Sequence, residues 1–301
     1  MRPNALRALA ALDGPKSLSG LARAARLPLA SASRAASELE GLGFVVKQRE
    51  GVSVRIAPAS FGSFMALRNE LVRHPRLDLS RAVHGKRAAV VAGLGAARPG
   101  FLRAVAGLSR SSWSSVVRDL DRYGLLSHDR ELEVELSPGH EGLREFCQEV
   151  CDAEGAAGWV TRGLGGARRL WSRSVEQLLA IPQRAPLPPG FAAGAYTAAA
   201  AEGIAFLSGE KFAFRSIREP TWGDVVLQCM LVPPHNRLSG SHAAIMLAAR
   251  RGERMEALAR WYGLQEAYRA VRRFVDGGDG GRWLLPRAEV RAIATRYGVK
   301  V

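Results

Sequence analysis

The apolar positions of the first sixty residues change their period partway along. Leu6, Leu9, Ala10 and Leu12 recur at helical spacing behind Asn4, a capping residue, and Asp13-Gly14-Pro15 ends the run. Ser17 caps a second short helix carrying Leu18, Leu21 and Ala25, and Arg26-Leu27-Pro28 makes a tight turn. From about Ala30 to Leu42 a third helix sets Ala32, Ala35, Ala36, Leu39 and Leu42 on one side. Gly43 suits the left-handed residue that closes a helix. The period then drops to two, and residues 44–49 and 52–56 read as a hairpin turning at Glu50-Gly51.

The succession recurs. Displaced by 81 positions, Leu21, Ala25, Leu27, Leu39 and Gly43 fall on Leu102, Ala106, Leu108, Leu120 and Gly124, and Arg49 falls on Arg130. Pro58 meets Pro138 at an offset of 80. A duplicated unit of roughly 60 residues predicts helices over Lys86–Leu94 and Pro99–Ala106. A third follows from a Ser109 cap to Tyr123, with a hairpin from Leu125–His128 and Glu131–Leu136.

Three helices and a hairpin follow the winged helix-turn-helix plan, whose third helix enters the major groove while the hairpin lies on the backbone or minor groove. The outward positions of the first third-helix are Ser31, Ser33, Arg34, Ser37 and Glu38. Small hydroxyls allow close approach and donate to phosphates, and Arg34 reaches either a guanine edge or a phosphate. Lys47, Arg49 and Arg55 charge the wing. In the second copy the outward positions are Arg110, Ser111, Ser112, Ser114, Ser115, Arg118 and Arg122. There the wing carries Glu131, Glu133 and Glu135, which repel phosphate, so direct DNA contact and a packing or dimerising role both stay open. Residues 4–58 resemble the winged-helix transcription regulators of the MarR and ArsR kind, a resemblance that implies binding of double-stranded DNA.

Charge sharpens this picture. The net charge is +15 and the pI about 10.8, with 43 Lys and Arg of which only Lys16, Lys47, Lys86, Lys211 and Lys300 are lysines. Such a field attracts polyanions. A GC-rich coding sequence also favours arginine, and it is the coincidence with the winged-helix plan that ties the charge to nucleic acid. Cys147, Cys151 and Cys229 make no disulfide framework. Cys147 and Cys151 sit four apart on a helix with only His140 nearby, a poor zinc set, and read as buried thiols. No apolar run reaches about 18 residues and no signal-peptide core is present, so a cytoplasmic protein without a membrane partner is expected.

Between the units, residues 61–80 predict a connecting helix whose Phe61, Phe64, Met65, Leu67 and Leu71 pack between them. A helix over 138–153 carries Leu143, Phe146, Cys147 and Val150 on one face, a candidate surface for a homodimer. The Gly-rich stretch 155–166 reads as a linker. Ala167–Ile181 then reads as a helix with Leu170, Trp171, Val175, Leu178 and Leu179 inward and Arg168, Arg169 and Arg173 on a basic edge. Beyond it come a helix at Ala195–Glu202, strands at Ile204–Leu207 and Phe212–Ile217, and a buried strand or helix start at Asp224–Val232. Helices at Ser241–Arg251, Glu253–Tyr262, Leu264–Asp276 and Pro286–Tyr297 complete the chain. The segments PPGFAAGAYTAAAAEGI and SHAAIMLAARRGERMEALARWYGL resemble the antitoxin component of type IV toxin–antitoxin systems, the AbiEi family. That resemblance implies a degenerate nucleotidyltransferase-like domain over about 165–276 and a protein partner.

An active nucleotidyltransferase needs a glycine turn followed by a D-x-D pair to hold metal against the triphosphate. Here Gly194-Ala195 is followed by Asp224 alone, with Glu210 and Glu219 beside Lys211 and Arg218. His74, His84, His128, His140, His235 and His242 show no HExxH spacing, and Leu238-Ser239-Gly240-Ser241-His242 lies outside a strand–turn–helix context. No enzyme activity and no cofactor are expected. The fold class is α+β: winged helices at 1–60 and 81–154, a connecting helix at 61–80, a linker at 155–166, and a smaller α/β nucleotidyltransferase-like domain with a helical tail at 167–301. The function is DNA-binding regulation with a C-terminal sensing or partner domain. The alternative is an antitoxin-like or assembly protein whose C-terminal domain binds a protein, with DNA contact secondary.

Overall fold

Pro3 opens the first helix, α1 (Pro3–Ala10), one residue before the Asn4 cap that the sequence suggests, because its fixed φ already suits a first turn. In this computed structural model, residues 1–50, 53–59, 62–75, 77–127, 134–160, 166–233, 237–250 and 255–301 are described. The chain divides into two units, Met1–Thr161 and Arg162–Val301.

In the first unit, β1 (Lys16–Ser17) leads into α2 (Leu18–Ala24), α3 (Leu29–Gly41), β2 (Val45–Glu50) and β3 (Ser53–Pro58). The strands form an antiparallel sheet in the order β1-β3-β2. The two-residue β1, paired to Arg55 and Ile56, is too short to show a period. Ser17 ends that strand and caps α2, accepting from Gly20 N at 3.1 Å. Gly43 takes φ +81, the left-handed closure expected after α3. Leu6, Leu9, Leu21, Ala32, Ala35, Leu39, Phe44 and Ile56 fill the core between helices and sheet.

The chain continues through α4 (Gly62–Arg73), α5 (Leu79–Ala82), α6 (Lys86–Gly93), α7 (Pro99–Val105), α8 (Arg110–Arg122), β4 (Leu126–Ser127), β5 (Glu135–Leu136) and α9 (Glu141–Val160). Strands β4 and β5 pair antiparallel. Of the acidic-wing residues, Glu131 and Glu133 lie outside the described residues, as do His128 and Arg130, while Glu135 in β5 is half-buried. The expected linker begins too early, since residues 155–160 continue α9. Gly155 costs the helix about 1 kcal/mol relative to alanine, yet it is buried within α9 and the helix continues past it. Leu143, Phe146, Cys147 and Val150 are buried, α9 packs on α4 and α6, and Phe146 meets Phe44 at 5.8 Å. The face proposed for a homodimer is therefore spent inside the unit. Of the connecting set, Phe64 and Leu67 are buried, Met65 is 58% exposed, and Phe61 lies outside the described residues.

The second unit holds β6 (Arg168–Arg173), β7 (Glu176–Pro182), β8 (Ala192–Ala193), α10 (Ala195–Ala201) and β9 (Glu210–Arg215). Then follow α11 (Trp222–Met230), α12 (Arg237–Ala249), α13 (Glu256–Tyr262), α14 (Gln265–Val275), a 3-10 turn at Gly281–Trp283 and α15 (Arg287–Thr295). The sheet order is β6-β7-β9-β8, and each described pairing is antiparallel. Two expectations are corrected here, and one left open between strand and helix resolves as a helix. The helix over 167–181 is a hairpin that turns at Ser174, φ +53. Glu176–Ile181 is buried at every position, and a strand covered on both faces loses the alternation that would reveal it. Ile204–Leu207 forms no strand: Ile204 and Phe206 are buried and Leu207 is fully exposed, an alternation without a partner strand. Residues 222–230 form a helix because Thr221 and Asp224 close a reciprocal capping box. With an antiparallel sheet, the unit is α+β in its own right and lacks the parallel alternation of an α/β domain.

Candidate nucleic-acid interface

The burial pattern of α3 comes from its alanines. Ala32, Ala35, Ala36 and Leu39 are buried, while Ser33, Arg34 and Ser37 are exposed and Ser31 and Glu38 are half-buried. Leu29 at the first turn is 55% exposed. Ser31, Arg34 and Glu38 line a cleft of about 320 Å³ with Arg2, Pro3 and Asn4. Arg2, which the sequence pattern did not single out, donates its backbone N–H to Glu38 Oε1 at 2.8 Å. It thereby sets a second guanidinium at the edge of α3. A contact between residues 36 apart leaves no periodic trace.

The wing is less simply basic than its composition. Lys47 Nζ binds Glu40 Oε2 at 2.5 Å and donates to Ser37 Oγ at 3.2 Å, so the lysine is turned onto α3. Reaching a phosphate requires it to leave Glu40. Gln48 opposes Arg55 and Arg49 opposes Val54, which puts Lys47 and Arg49 on one face of the ladder and Arg55 on the other. Arg49 and Arg55 are both exposed.

On α8 the outward set is wholly at the surface: Arg110, Ser111, Ser112, Ser114, Ser115, Arg118 and Arg122 are all exposed, over buried Val116 and Leu120. Ser111, Ser115, Arg118 and Arg122 share one stripe. The serines also serve the helix itself. Ser109 caps it by accepting from Ser112 N at 3.2 Å, and Ser114 Oγ donates to Arg110 O at 3.1 Å. The surroundings of the two helices differ in charge. Residues 1–60 carry nine Arg or Lys against four Asp or Glu, whereas residues 81–154 carry ten against eleven.

The second unit is organised around buried charge. Arg218 donates from Nη1 to Asp224 Oδ2 at 2.7 Å and pairs through Nε with Glu176 Oε1 at 2.9 Å. Ser216 Oγ and Trp261 Nε1 donate to Glu176 at 2.6 and 2.8 Å. Tyr262 donates to Asp224 at 2.8 Å and accepts from Gln228 Nε2 at 2.9 Å, and Gln228 Oε1 takes the Ala195 N–H at 3.0 Å. Burial pushes the Glu176 carboxyl up, only partly opposed by Arg218. Burial acts on Asp224 in the same direction, but Arg218, the Thr221 N–H and Tyr262 outweigh it and hold that carboxyl below its ordinary value. The Gly194-Ala195 corner is filled. A Cβ on Gly194 would stand 2.9 Å from Gln228 Oε1 and 3.0 Å from Leu178 Cδ1. The basic edge of β6 is likewise engaged: Arg168 pairs with Glu210 at 3.1 Å, and Arg173 donates to Arg260 O at 3.0 Å. His235 lies outside the described residues, and His242 stacks on Phe206 with ring centroids 3.9 Å apart.

Residues 4–49 match the IclR helix-turn-helix domain, a span running from α1 into β2 with α3 inside it. The N-terminal domain is a helix-turn-helix DNA-binding domain, the mark of a transcriptional regulator. The match is of IclR type, where the residues alone resemble the MarR and ArsR kind. No curated protein and no solved structure matches the chain. Among the described residues no helix is long and apolar enough to cross a membrane.

Proposed function

We propose that the chain is a sequence-specific DNA-binding regulator in which α3 reads the major groove. The observation that carries this reading is the division of α3 into a buried alanine side and an exposed side of Ser33, Arg34 and Ser37, within the matched helix-turn-helix segment. Arg49 and Arg55 anchor the backbone, and Lys47 joins them on leaving Glu40. Residues 81–154 form a second winged helix, whose α8 adds phosphate contacts through Arg110 and Arg118; the balanced charge around it favours an auxiliary role. The Arg34→Ala variant is expected to weaken specific binding by about 1–3 kcal/mol if the guanidinium meets a base, and by a uniform amount across sequences if it meets phosphate. An electrophoretic shift series on genomic fragments measures both, and absence of any retardation at low salt overturns the reading.

The C-terminal unit acts by binding and not by catalysis in this reading. Supporting it, Asp224 is committed to Arg218 and Tyr262, and the Ala195 N–H at the Gly194 corner is taken by Gln228. The resemblance to the AbiEi antitoxins favours a protein partner on this unit, in a degenerate nucleotidyltransferase-like role. A partner retained by the full chain after nuclease treatment supports that assignment. Homodimerisation, if it accompanies DNA binding, must use a surface other than the covered face of α9, and sedimentation of the free chain tests it.

A further inference from the structure

The junction of α4 with the start of α9 brings together three side chains that the DNA-binding reading does not use. Glu70 lies in the last turn of α4, His74 directly follows that helix with its N–H donating to the Glu70 carbonyl at 2.8 Å, and His140 immediately precedes α9. The approach is close because Gly142 has no side chain: a Cβ there would lie 3.1 Å from the Ala66 carbonyl oxygen. Glu70 and His140 are buried, 2% and 6% exposed, and His140 Nδ1 is bonded to Glu70 Oε1. His74 Nε2 lies 3.8 Å from the same oxygen, beyond hydrogen-bond reach, with its ring 4.2 Å from that of His140. A buried ion pair would need one imidazole; here a second is held against the carboxylate without bonding to it.

We propose that Glu70, His74 and His140 form a binding site for a divalent transition metal of the zinc class. One ligand atom from each residue lies within 4.8 Å of the others. Bonds of about 2.0–2.1 Å in a tetrahedral site put ligand atoms about 3.3 Å apart, so metal entry opens the Glu70–His140 contact and draws the His74 ring inward. Two imidazoles and one carboxylate are the ligands of an open zinc site with its fourth position left to solvent. Room for that solvent ligand exists: His74 and His140 line a cavity of about 420 Å³, bordered by Arg73, Arg122 and Tyr123. Arg73 and Arg122 are exposed and free to turn their charge into water, while the Glu70 carboxylate supplies the local negative charge. Cys147 and Cys151 on α9 are weaker candidates, since burial raises the Cys147 thiol well above its usual value. Arg122 and Tyr123 end α8, so the metal would sit where the second copy's outward helix meets α4.

The test is zinc sulfate added to chelator-stripped full-length protein in competition with a chromogenic chelator. One equivalent is expected to bind per chain. His74→Ala is the informative variant because the His74 side chain is 40% exposed and its removal leaves the Glu70–His140 pair in place. It is expected to lower zinc affinity at least tenfold with an unchanged metal-free melting curve, and His74→Cys is expected to restore binding. Cobalt substituted into the wild-type chain should give a tetrahedral visible spectrum without a thiolate charge-transfer band. Zinc affinity unchanged in His74→Ala, no stoichiometric binding by the wild type, or a thiolate band in its cobalt spectrum overturns the proposal. Each of these outcomes leaves the role of α3 in DNA binding untouched.

Discussion

Arg218 shows most clearly how one side chain holds a part of this molecule together. It bridges Glu176 on β7 and Asp224 on α11, both fully buried. A buried pair contributes little net stability when made well, but removing one partner strands charge in a medium that cannot solvate it. Arg218→Met leaves two buried carboxylates facing each other and is expected to cost about 3–5 kcal/mol in urea unfolding of the full chain. Tyr262→Phe removes only a hydroxyl that donates to Asp224 and accepts from Gln228, and is expected to cost about 1–3 kcal/mol. His242 carries a different consequence. Burial lowers its pKa to about 4, against an ordinary value of 6.5. The unfolded chain therefore binds a proton more readily between these values, and folding stability falls as the pH drops from about 6.5 towards 4. The full shift corresponds to a ceiling of about 3 kcal/mol, reduced by the part of the ring that water reaches. Denaturant midpoints between pH 4 and 7 should slope less in His242→Gln than in the wild type.

Glycines at two helix positions separate what an element prefers by itself from what its surroundings demand. At Gly240 in α12 a Cβ would stand 2.1 Å from the Trp283 carbonyl oxygen, a backbone atom that cannot turn aside. Gly240→Ala is expected to destabilise by at least about 1–3 kcal/mol, the usual cost of overpacking, despite the helix propensity it gains. Gly41, at the end of α3, has nothing within 4 Å of that position, and Gly41→Ala is expected to stabilise by about 0.5–1 kcal/mol. Thermal melts of the two variants should move in opposite directions. The same distinction decides what the sequence makes legible. Helices α3 and α8 are readable because each sets small or apolar residues against a polar side and ends at a glycine with positive φ, Gly43 and Gly124. Strands β6 and β7 are not readable, since their turn is a serine in a left-handed conformation and β7 is buried from Glu176 to Ile181. The Thr221–Asp224 box that fixes α11 was present as a sequence signal and competes there with the apolar run that follows it. At the interface, the outward serines and arginines follow from helical period alone. The seating of Lys47 on Glu40 and the approach of Arg2 to Glu38 depend on how elements meet, which no period encodes.

For the whole molecule, the excess of positive charge is unevenly placed. Residues 162–301 hold 21 Arg or Lys against 11 Asp or Glu, so much of the +15 belongs to the unit outside the helix-turn-helix match. High net charge by itself is therefore no proof that α3 and α8 touch DNA, because a diffuse field speeds encounter without fixing contacts. Salt dependence separates the two. Each phosphate neutralised by a specific side chain lowers the slope of log K against log salt by about 0.9 on a duplex, and removing that side chain restores it. Arg49→Ala with Arg55→Ala is expected to flatten the slope by about 1.8, and Arg110→Ala with Arg118→Ala by a similar amount when α8 lies on the backbone. Sequence preference should survive both pairs and be lost only with α3. A slope unchanged by the α8 pair removes that helix from the interface and leaves the first copy as the sole reader. A slope unchanged by the wing pair as well means that affinity comes from the general field, and the proposed wing contacts are then wrong.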